Sequence, residues 1–123
     1  MRYLCLIYAS EAQMAGVSAA HMPQFVNAHL DYDDALRASG QLVETEALQA
    51  AHTAAVVRVR RGELSVTTGP FAETSEQLGG FYLVEAASDD EAVRIAAGIP
   101  SARIGSIEVR PIASSMTPPE QAP

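Results

Sequence analysis

Two residues suited to acid–base chemistry, His29 and Asp33, lie four positions apart in a segment with helical periodicity. Residues at i and i+4 share one face of a helix, so the imidazole and the carboxylate can meet. A neighbouring carboxylate orients such a ring and raises its pKa, and histidine then serves as a general acid or base. His29 and Asp33 are therefore the candidate catalytic pair. The alternative is a structural histidine, hydrogen-bonded and packed beneath a sheet.

The residue types of the chain give little support for a metal site or a covalently bound cofactor. His21 and His52 lie eight and 23 residues from His29, which matches no local metal-ligand motif. The one cysteine, Cys5, lies in an apolar run and allows neither an internal disulfide nor a thiolate zinc site. All eight basic residues are arginines, and without lysine a Schiff base and a Walker A phosphate loop are excluded. No metal or cofactor is predicted.

A long loop between two predicted strands forms the candidate ligand-binding segment, with Thr68, Gly69, Pro70, Phe71 and Glu73 as its candidate contacts. Glycine permits a positive φ and close backbone approach, and proline stiffens the turn. The phenylalanine is expected to fill apolar space under the loop. Irregular loops at strand ends are common positions for binding sites. The alternative is that this loop packs over one end of the fold or on a partner subunit.

Composition predicts one globular domain. The chain has 123 residues, 48% of them hydrophobic, and a net charge of −7, so a packed core is expected and nucleic acid or an anionic membrane is disfavoured as a partner. No apolar run approaches the length of a membrane span. The N-terminal residues do not match a signal peptide, which predicts a cytoplasmic protein.

The predicted elements follow from periodicity and from start and stop signals. Pro23 suits a helix start and Gly40 a helix stop. Ser88, followed by Glu91, matches a capping box. The predicted order is a strand (3–9), a helix (23–39), strands (41–48, 54–60, 64–67 and 80–86), a helix (88–98) and a strand (104–112). Residues 1–112 form the predicted domain and 113–123 a frayed, proline-containing tail.

This order predicts an α+β fold of the ferredoxin-like split βαβ type with an added hairpin. Two helices on one face of the sheet leave the other face bare. That face holds either Tyr3, Cys5 and Ile7 or Leu4, Leu6 and Tyr8 from the first strand, with either Phe81 and Leu83 or Tyr82 and Val84 from the fifth. An apolar sheet face of this kind is an interaction site. The predicted closure is a homodimer that pairs two open sheet faces.

The stretch GPFAETSEQLGGFYLVEA, followed by a capped helix, IPSAR and GSIEVRPI, closely resembles the YCII-related proteins of the DGPF type. The resemblance extends from the first strand to Ile112. It implies a subunit that dimerises as dimeric α+β-barrel proteins do, and a family whose biochemical function is largely unestablished. It also implies frequent encoding beside extracytoplasmic-function sigma factors. Related proteins on this fold include muconolactone isomerase and small monooxygenases, and broader YCII relatives have a histidine and an aspartate suggested as a catalytic pair.

The chain departs from the family pattern at two positions. Thr68 replaces the aspartate of Asp-Gly-Pro-Phe, and Ser75 replaces the lysine of Glu-Thr-Lys-Glu. Threonine cannot act as a carboxylate base near neutral pH, although it can replace an aspartate that only caps a turn. The first departure therefore favours binding or structure over catalysis at this loop.

Together these features predict a protein that binds a small organic molecule in a pocket between the first long helix, the sheet and the Gly69-Pro70-Phe71 loop. An enzymatic form would use His29 for proton transfer on a small cyclic or carboxylated substrate. The alternative function is a non-catalytic homodimeric interaction module linked to sigma-factor regulation. A haem- or metal-dependent oxygenase is a third hypothesis, and it predicts colour or metal in the purified protein.

Overall fold

The structure, a computed structural model, describes residues 1–113. Of the predicted tail over 113–123, all but Ala113 lies outside these residues. No helix within the described range is long and apolar enough to cross a membrane. The strands and helices in chain order are β1 (Arg2–Ala9), α1 (Glu11–Ala15), α2 (Met22–Ala38), β2 (Leu42–Ala47), β3 (Ala55–Arg60), β4 (Glu63–Thr68), β5 (Gln77–Glu85), α3 (Asp89–Gly98) and β6 (Ser106–Pro111), with 3₁₀ turns at Ala51–Thr53 and Pro100–Arg103.

Four strands form an antiparallel sheet in the order β2-β5-β1-β6. β5 lies between β1 and β2, and β1 lies between β5 and β6, so each crossover helix joins strands that are separated by a third. This is the split βαβ arrangement. The predicted ferredoxin-like α+β fold is therefore confirmed, while the dimeric barrel stays a prediction.

The hydrophobic core lies between the sheet and the two long helices. Tyr3, Cys5, Tyr82 and Val84 point inward from the two central strands. They pack against residues of α2, α3 and the following turn, namely Leu36, Ala92, Ile95, Ala96 and Ile99. Burial raises the pKa of the Cys5 thiol to about 11, so this cysteine is a small core residue and not a reactive thiolate.

The opposite side of the sheet, called the outer face here, is apolar at its centre and charged at its edges. One cross-strand row contains Glu44, Leu83, Leu4 and Arg110, and the next contains Glu46, Phe81, Leu6 and Glu108. Residues directly opposite each other in a ladder project to the same side. The register therefore assigns Leu4, Leu6 and Tyr8, with Phe81 and Leu83, to the face away from the core.

The β3–β4 hairpin, called the arm here, forms a separate two-stranded sheet. Its turn has Arg61 at φ 53° and Gly62 at φ 77°, and positive φ at both central residues is the signature of a type I′ turn, which matches the twist of a hairpin. No residue of the arm is buried. Within residues 1–113 the arm has no ladder to the main sheet.

Two helix starts show how side chains fix local structure. The Ser88 hydroxyl accepts a hydrogen bond from the Glu91 backbone N–H, as predicted, but the Glu91 carboxylate accepts from the N–H of Ala87. The short helix α1 lies in a stretch that the sequence predicted as loop. It begins with a complete capping box between Ser10 and Gln13, a pattern that the predicted boundaries missed.

Candidate functional site

Four polar side chains from three parts of the fold form a hydrogen-bonded chain, called the His29 cluster here. His29 and Asp33 come from α2, Tyr82 from β5 and Ser101 from the 3₁₀ turn after α3. The Nδ1 atom of His29 lies 3.1 Å from the Tyr82 hydroxyl oxygen, and its Nε2 atom lies 2.8 Å from the Ser101 Oγ. Tyr82 donates its hydroxyl proton to Asp33 Oδ1.

This connectivity fixes the tautomer of a neutral His29. Tyr82 has one hydroxyl proton, and it goes to Asp33, so the Tyr82 oxygen is the acceptor toward His29. His29 must then carry its proton on Nδ1 and leave a lone pair on Nε2. Ser101 donates to that lone pair. The order of donation is Ser101 to His29, His29 to Tyr82 and Tyr82 to Asp33, which makes Nε2 the basic atom of the cluster.

Burial controls the ionisation of the two rings. Tyr82 is 2% exposed, and burial together with the Asp33 hydrogen bond raises the pKa of its hydroxyl well above the usual value. Burial also lowers the pKa of His29, and the nearby Asp33 charge opposes that shift only in part. The sequence predicted that Asp33 would raise the pKa of His29. The pKa is instead lowered, because desolvation of the ring is a larger effect than the Asp33 charge. His29 is therefore neutral at pH 7.

Aromatic neighbours hold the imidazole in place. Phe25 contacts the His29 ring edge-to-face, with ring centroids 5.0 Å apart. Tyr82 stacks on it at 6.4 Å, and Tyr32 lies 6.5 Å from Tyr82 while donating its hydroxyl proton to the Ile95 carbonyl. These contacts restrict rotation of the ring, so the direction of the Nε2 lone pair toward Ser101 is preorganised.

Two open cavities flank α2 on either side of the cluster. An apolar groove of about 800 Å³ is lined by Val17, Ala19, Met22, Pro23, Val26 and Asn27. A second groove, of about 400 Å³, lies between α2 and α3 and includes Tyr32, Glu91 and Arg94. Neither groove is lined by residues 68–73. The predicted pocket between α2, the sheet and that loop therefore does not coincide with either groove.

The predicted ligand-binding loop lies at the base of the arm. Gly69 has φ 109°, and its N–H donates to the Ala54 carbonyl at 2.7 Å. Gly69 thus uses the positive φ that glycine permits, and Pro70 follows it directly. Thr68 and Glu73 are exposed. No hydrogen bond or ring contact within residues 1–113 joins this loop to the His29 cluster.

Phe71 corrects one sequence-based expectation. It was expected to fill apolar space under the loop, but its side chain is 80% exposed. The Arg58 guanidinium lies 5.6 Å from the centre of its ring, a cation–π contact that neighbouring strand residues make possible without burial. The phenylalanine is left at the surface because it directly follows the arm, none of whose residues is buried.

The histidines outside the cluster do not assemble a metal site in the part of the chain described. Ser18 and His21 Nδ1 are hydrogen-bonded at 2.7 Å, and His52 lies in the exposed 3₁₀ turn before β3. No group of three or more His, Cys, Asp or Glu side chains within residues 1–113 could hold a metal ion.

Sequence reasoning identified two of the four cluster residues and missed Tyr82 and Ser101. Tyr82 alternates with Val84 on the inward side of β5, and an inward tyrosine needs a hydrogen-bond partner for its hydroxyl. That requirement could have linked it to a polar residue of the covering helix. Ser101 follows Pro100 in a short irregular turn, where no spacing rule indicates what it faces.

Comparison with known proteins agrees with this architecture. The YCII-related domain matches residues 1–115. An uncharacterised protein of Rhizobium meliloti (strain 1021) is 47% identical over 77 residues, which cover 61% of this chain and 62% of the relative. The aligned region thus spans less than two thirds of that relative's length. Since the domain match covers nearly the whole chain, the protein belongs to the YCII-related family.

Proposed function

We propose that this YCII-related protein binds a small organic molecule beside the His29 cluster and transfers a proton on it, with His29 as the base. The observation that supports this most strongly is the fixed order of hydrogen bonds, which leaves the lone pair of the imidazole on His29 Nε2. A neutral imidazole with a preset tautomer is the form required of a general base at neutral pH.

Each residue of the cluster has a role in such a transfer. A substrate acid that approaches the Ser101 oxygen gives up its proton while the Ser101 hydroxyl proton moves to His29 Nε2. The resulting imidazolium donates from Nδ1 to Tyr82, whose own proton remains on the Asp33 side. The Asp33 charge favours the imidazolium across the tyrosine. Return of the proton to another atom of the substrate completes an isomerisation without any cofactor.

The substrate class follows from what such a base can ionise. A lone imidazole removes protons that a neighbouring carbonyl has already made acidic, such as those next to the carbonyl of a lactone or keto acid. The apolar groove along the first turns of α2 ends one turn before His29 and could hold the hydrocarbon part of such a molecule. We therefore propose small cyclic or carboxylated carbonyl compounds as substrates.

Proton exchange tests this proposal without knowledge of the product. The protein would be incubated in D₂O with a panel of five-membered unsaturated lactones and small keto acids, and deuterium incorporation followed by proton NMR. The His29→Gln variant should slow exchange by about 10²-fold or more, the usual contribution of a general base. His52→Gln, the same change at an exposed histidine, is the control and should exchange at the wild-type rate. Equal exchange by wild type and His29→Gln, or no exchange on any compound, would refute the proposal.

A second candidate is the non-catalytic homodimeric interaction module, linked to sigma-factor regulation. The apolar rows of the outer face favour it, because Leu4, Leu6, Phe81 and Leu83 lie on the side of the sheet away from the core. In that case His29 is a structural residue. The His29→Ala variant is then less stable than the wild type, and neither protein has catalytic activity. Sedimentation velocity of the wild type, alone and with a purified extracytoplasmic-function sigma factor, tests it. A protein that stays monomeric and does not bind the sigma factor would contradict this candidate.

A further inference from the structure

The arm has an apolar face that nothing in the described chain covers. Val57 lies directly opposite Val66, and Val59 directly opposite Leu64, so all four side chains project to one side. Their exposed fractions lie between 58% and 67%. An isolated two-stranded hairpin is at best marginally stable in water. A contiguous aliphatic surface on such a hairpin indicates a binding surface.

The other side and the tip of the arm are basic in an otherwise acidic protein. Residues 55–68 contain Arg58, Arg60 and Arg61, three of the eight arginines of the chain, and a single carboxylate, Glu63. Arg60 and Arg61 are exposed at the turn. None of the three arginines forms a salt bridge within residues 1–113. The arm therefore combines an apolar centre with an unneutralised positive end.

The outer face of the sheet has the complementary pattern. Its two apolar pairs, Leu4 with Leu83 and Leu6 with Phe81, are spaced two residues apart along the strands, as are the two apolar pairs of the arm. Glu44 and Glu46 lie at one edge, and Glu108 and Arg110 lie at the other. These three carboxylates are exposed and form no salt bridge within the described range. The face thus offers a matching apolar centre with a negative edge along β2.

We propose that the arm of one copy packs its Val57, Val59, Leu64 and Val66 face on the outer face of a second copy, and that the second copy returns the same contact. Charge selects the partner, because the positive tip of the arm meets the negative β2 edge of an identical chain. A two-fold dimer satisfies both arms and both outer faces and closes the assembly. This inference rests on the homodimer proposed above and specifies its interface. It does not depend on whether His29 is catalytic.

The reciprocal contact also relocates the loop that follows β4. Thr68 is the last residue of the arm and Phe71 lies three residues beyond it, so docking of the arm brings residues 68–73 to the second copy. The 80% exposed Phe71 ring then has a surface to contact.

Sedimentation velocity over a concentration series tests the arm directly. Val59→Asp places a charge at the centre of the proposed contact and should weaken dimerisation by at least about 30-fold, the effect of a central interface residue. The matched control is Val93→Asp on α3, since Val93 is 56% exposed and Val59 is 58% exposed. The control should leave the dimerisation constant within about threefold, as expected for a site outside the interface. Circular dichroism confirms that each variant is folded, and Val59→Thr, which keeps strand propensity, should weaken the dimer if the aspartate variant does not fold.

Cross-linking identifies the surface that the arm contacts. A Val59→Cys chain mixed with a differently tagged Leu83→Cys chain should form a mixed dimer with a short bismaleimide, because the buried Cys5 stays unreactive. A Val93→Cys chain mixed with the Leu83→Cys chain should not form this cross-link. A wild-type dimer that Val59→Asp leaves intact, or the absence of the mixed cross-link, would overturn the arm contact while the homodimer stands. A wild type that stays monomeric would overturn both.

Discussion

Tyr82 has one hydroxyl proton and two hydrogen-bond partners within the cluster, Asp33 and His29. Because Asp33 takes the proton, the tyrosine oxygen can only accept from His29, and the imidazole must be protonated on Nδ1. A phenylalanine at the same position would preserve the shape of the core but leave the His29 N–H and the Asp33 carboxylate without that partner. The acid–base properties of the site therefore depend on a core tyrosine as much as on the histidine.

Tyr82→Phe should lower the free energy of unfolding by about 1–3 kcal/mol, the cost of leaving buried hydrogen-bonding groups unpaired. Tyr8→Phe is the matched control, because the Tyr8 hydroxyl makes no side-chain hydrogen bond within residues 1–113 and Tyr8 lies on the outer face. Urea denaturation of both variants measures the difference. Equal stability of the two variants would show that the Tyr82 hydroxyl does not hold the cluster together.

The lowered pKa of His29 predicts a pH dependence of stability. The folded-state pKa lies below the unfolded value of 6.5, so between the two values the unfolded chain binds more protons and stability rises with pH. The contribution is complete above about pH 6.5 and is lost as the pH falls through the folded pKa. The Glu85 carboxylate, whose pKa is lowered by Arg2, affects the pH dependence of stability only in a separate range, below about pH 4.5. Urea midpoints measured between pH 7 and pH 5 should fall less in His29→Gln than in wild type, and parallel curves would contradict this assignment.

At the scale of elements, the arm is the segment that stands apart. Its only strand ladder within the described residues is internal, and its aliphatic residues are exposed, which places it at the low-stability end of the molecule. If it docks on a second copy, its amide protons should exchange with solvent more slowly as protein concentration rises. Val59→Asp should exchange rapidly at every concentration, and the amides of β1 and β5 serve as the internal reference. Exchange in the arm that is independent of concentration would contradict docking.

The elements themselves were largely predictable because they depend on local signals. Pro23 near the start of α2, Ser88 before α3 and Arg61-Gly62 in the hairpin turn each impose a backbone geometry that nearby residues can satisfy alone. The start of β6 was harder to predict from the sequence. It begins at Ser106, two residues later than predicted, because Ile104 and Gly105 bond back to Ser101 in the preceding turn.

Two of the four residues of the His29 cluster could be predicted from the sequence, and the difference has a physical reason. His29 and Asp33 are neighbours on one helix, so spacing alone joins them. Tyr82 and Ser101 reach them across 53 and 72 residues of sequence, and such contacts exist only once the sheet register and the helix packing are set. The exposed position of Phe71 is a tertiary property of the same kind, since it depends on an arm that no local pattern places away from the core.

At the scale of the whole molecule, the fold separates its two candidate functions onto opposite faces of one sheet. The His29 cluster lies on the helix side, where burial keeps the imidazole neutral. The outer face lies on the other side, and its apolar and charged pattern complements that of the arm. In the proposed dimer each chain brings its loop over residues 68–73 to the outer face of its partner, on the side of the sheet away from the His29 cluster.

The state of the His29 ring is the most direct test of the central claim that the cluster presents a neutral base. Long-range proton–nitrogen NMR correlation of ¹⁵N-labelled protein, recorded across a pH titration, identifies the tautomer and the pKa together. We predict a ring protonated on Nδ1 at pH 7 that titrates below 6.5, with His52→Gln used to assign the signals. A ring protonated on Nε2, or one that titrates above 6.5, would contradict both the order of hydrogen bonds and the role of His29 as a base.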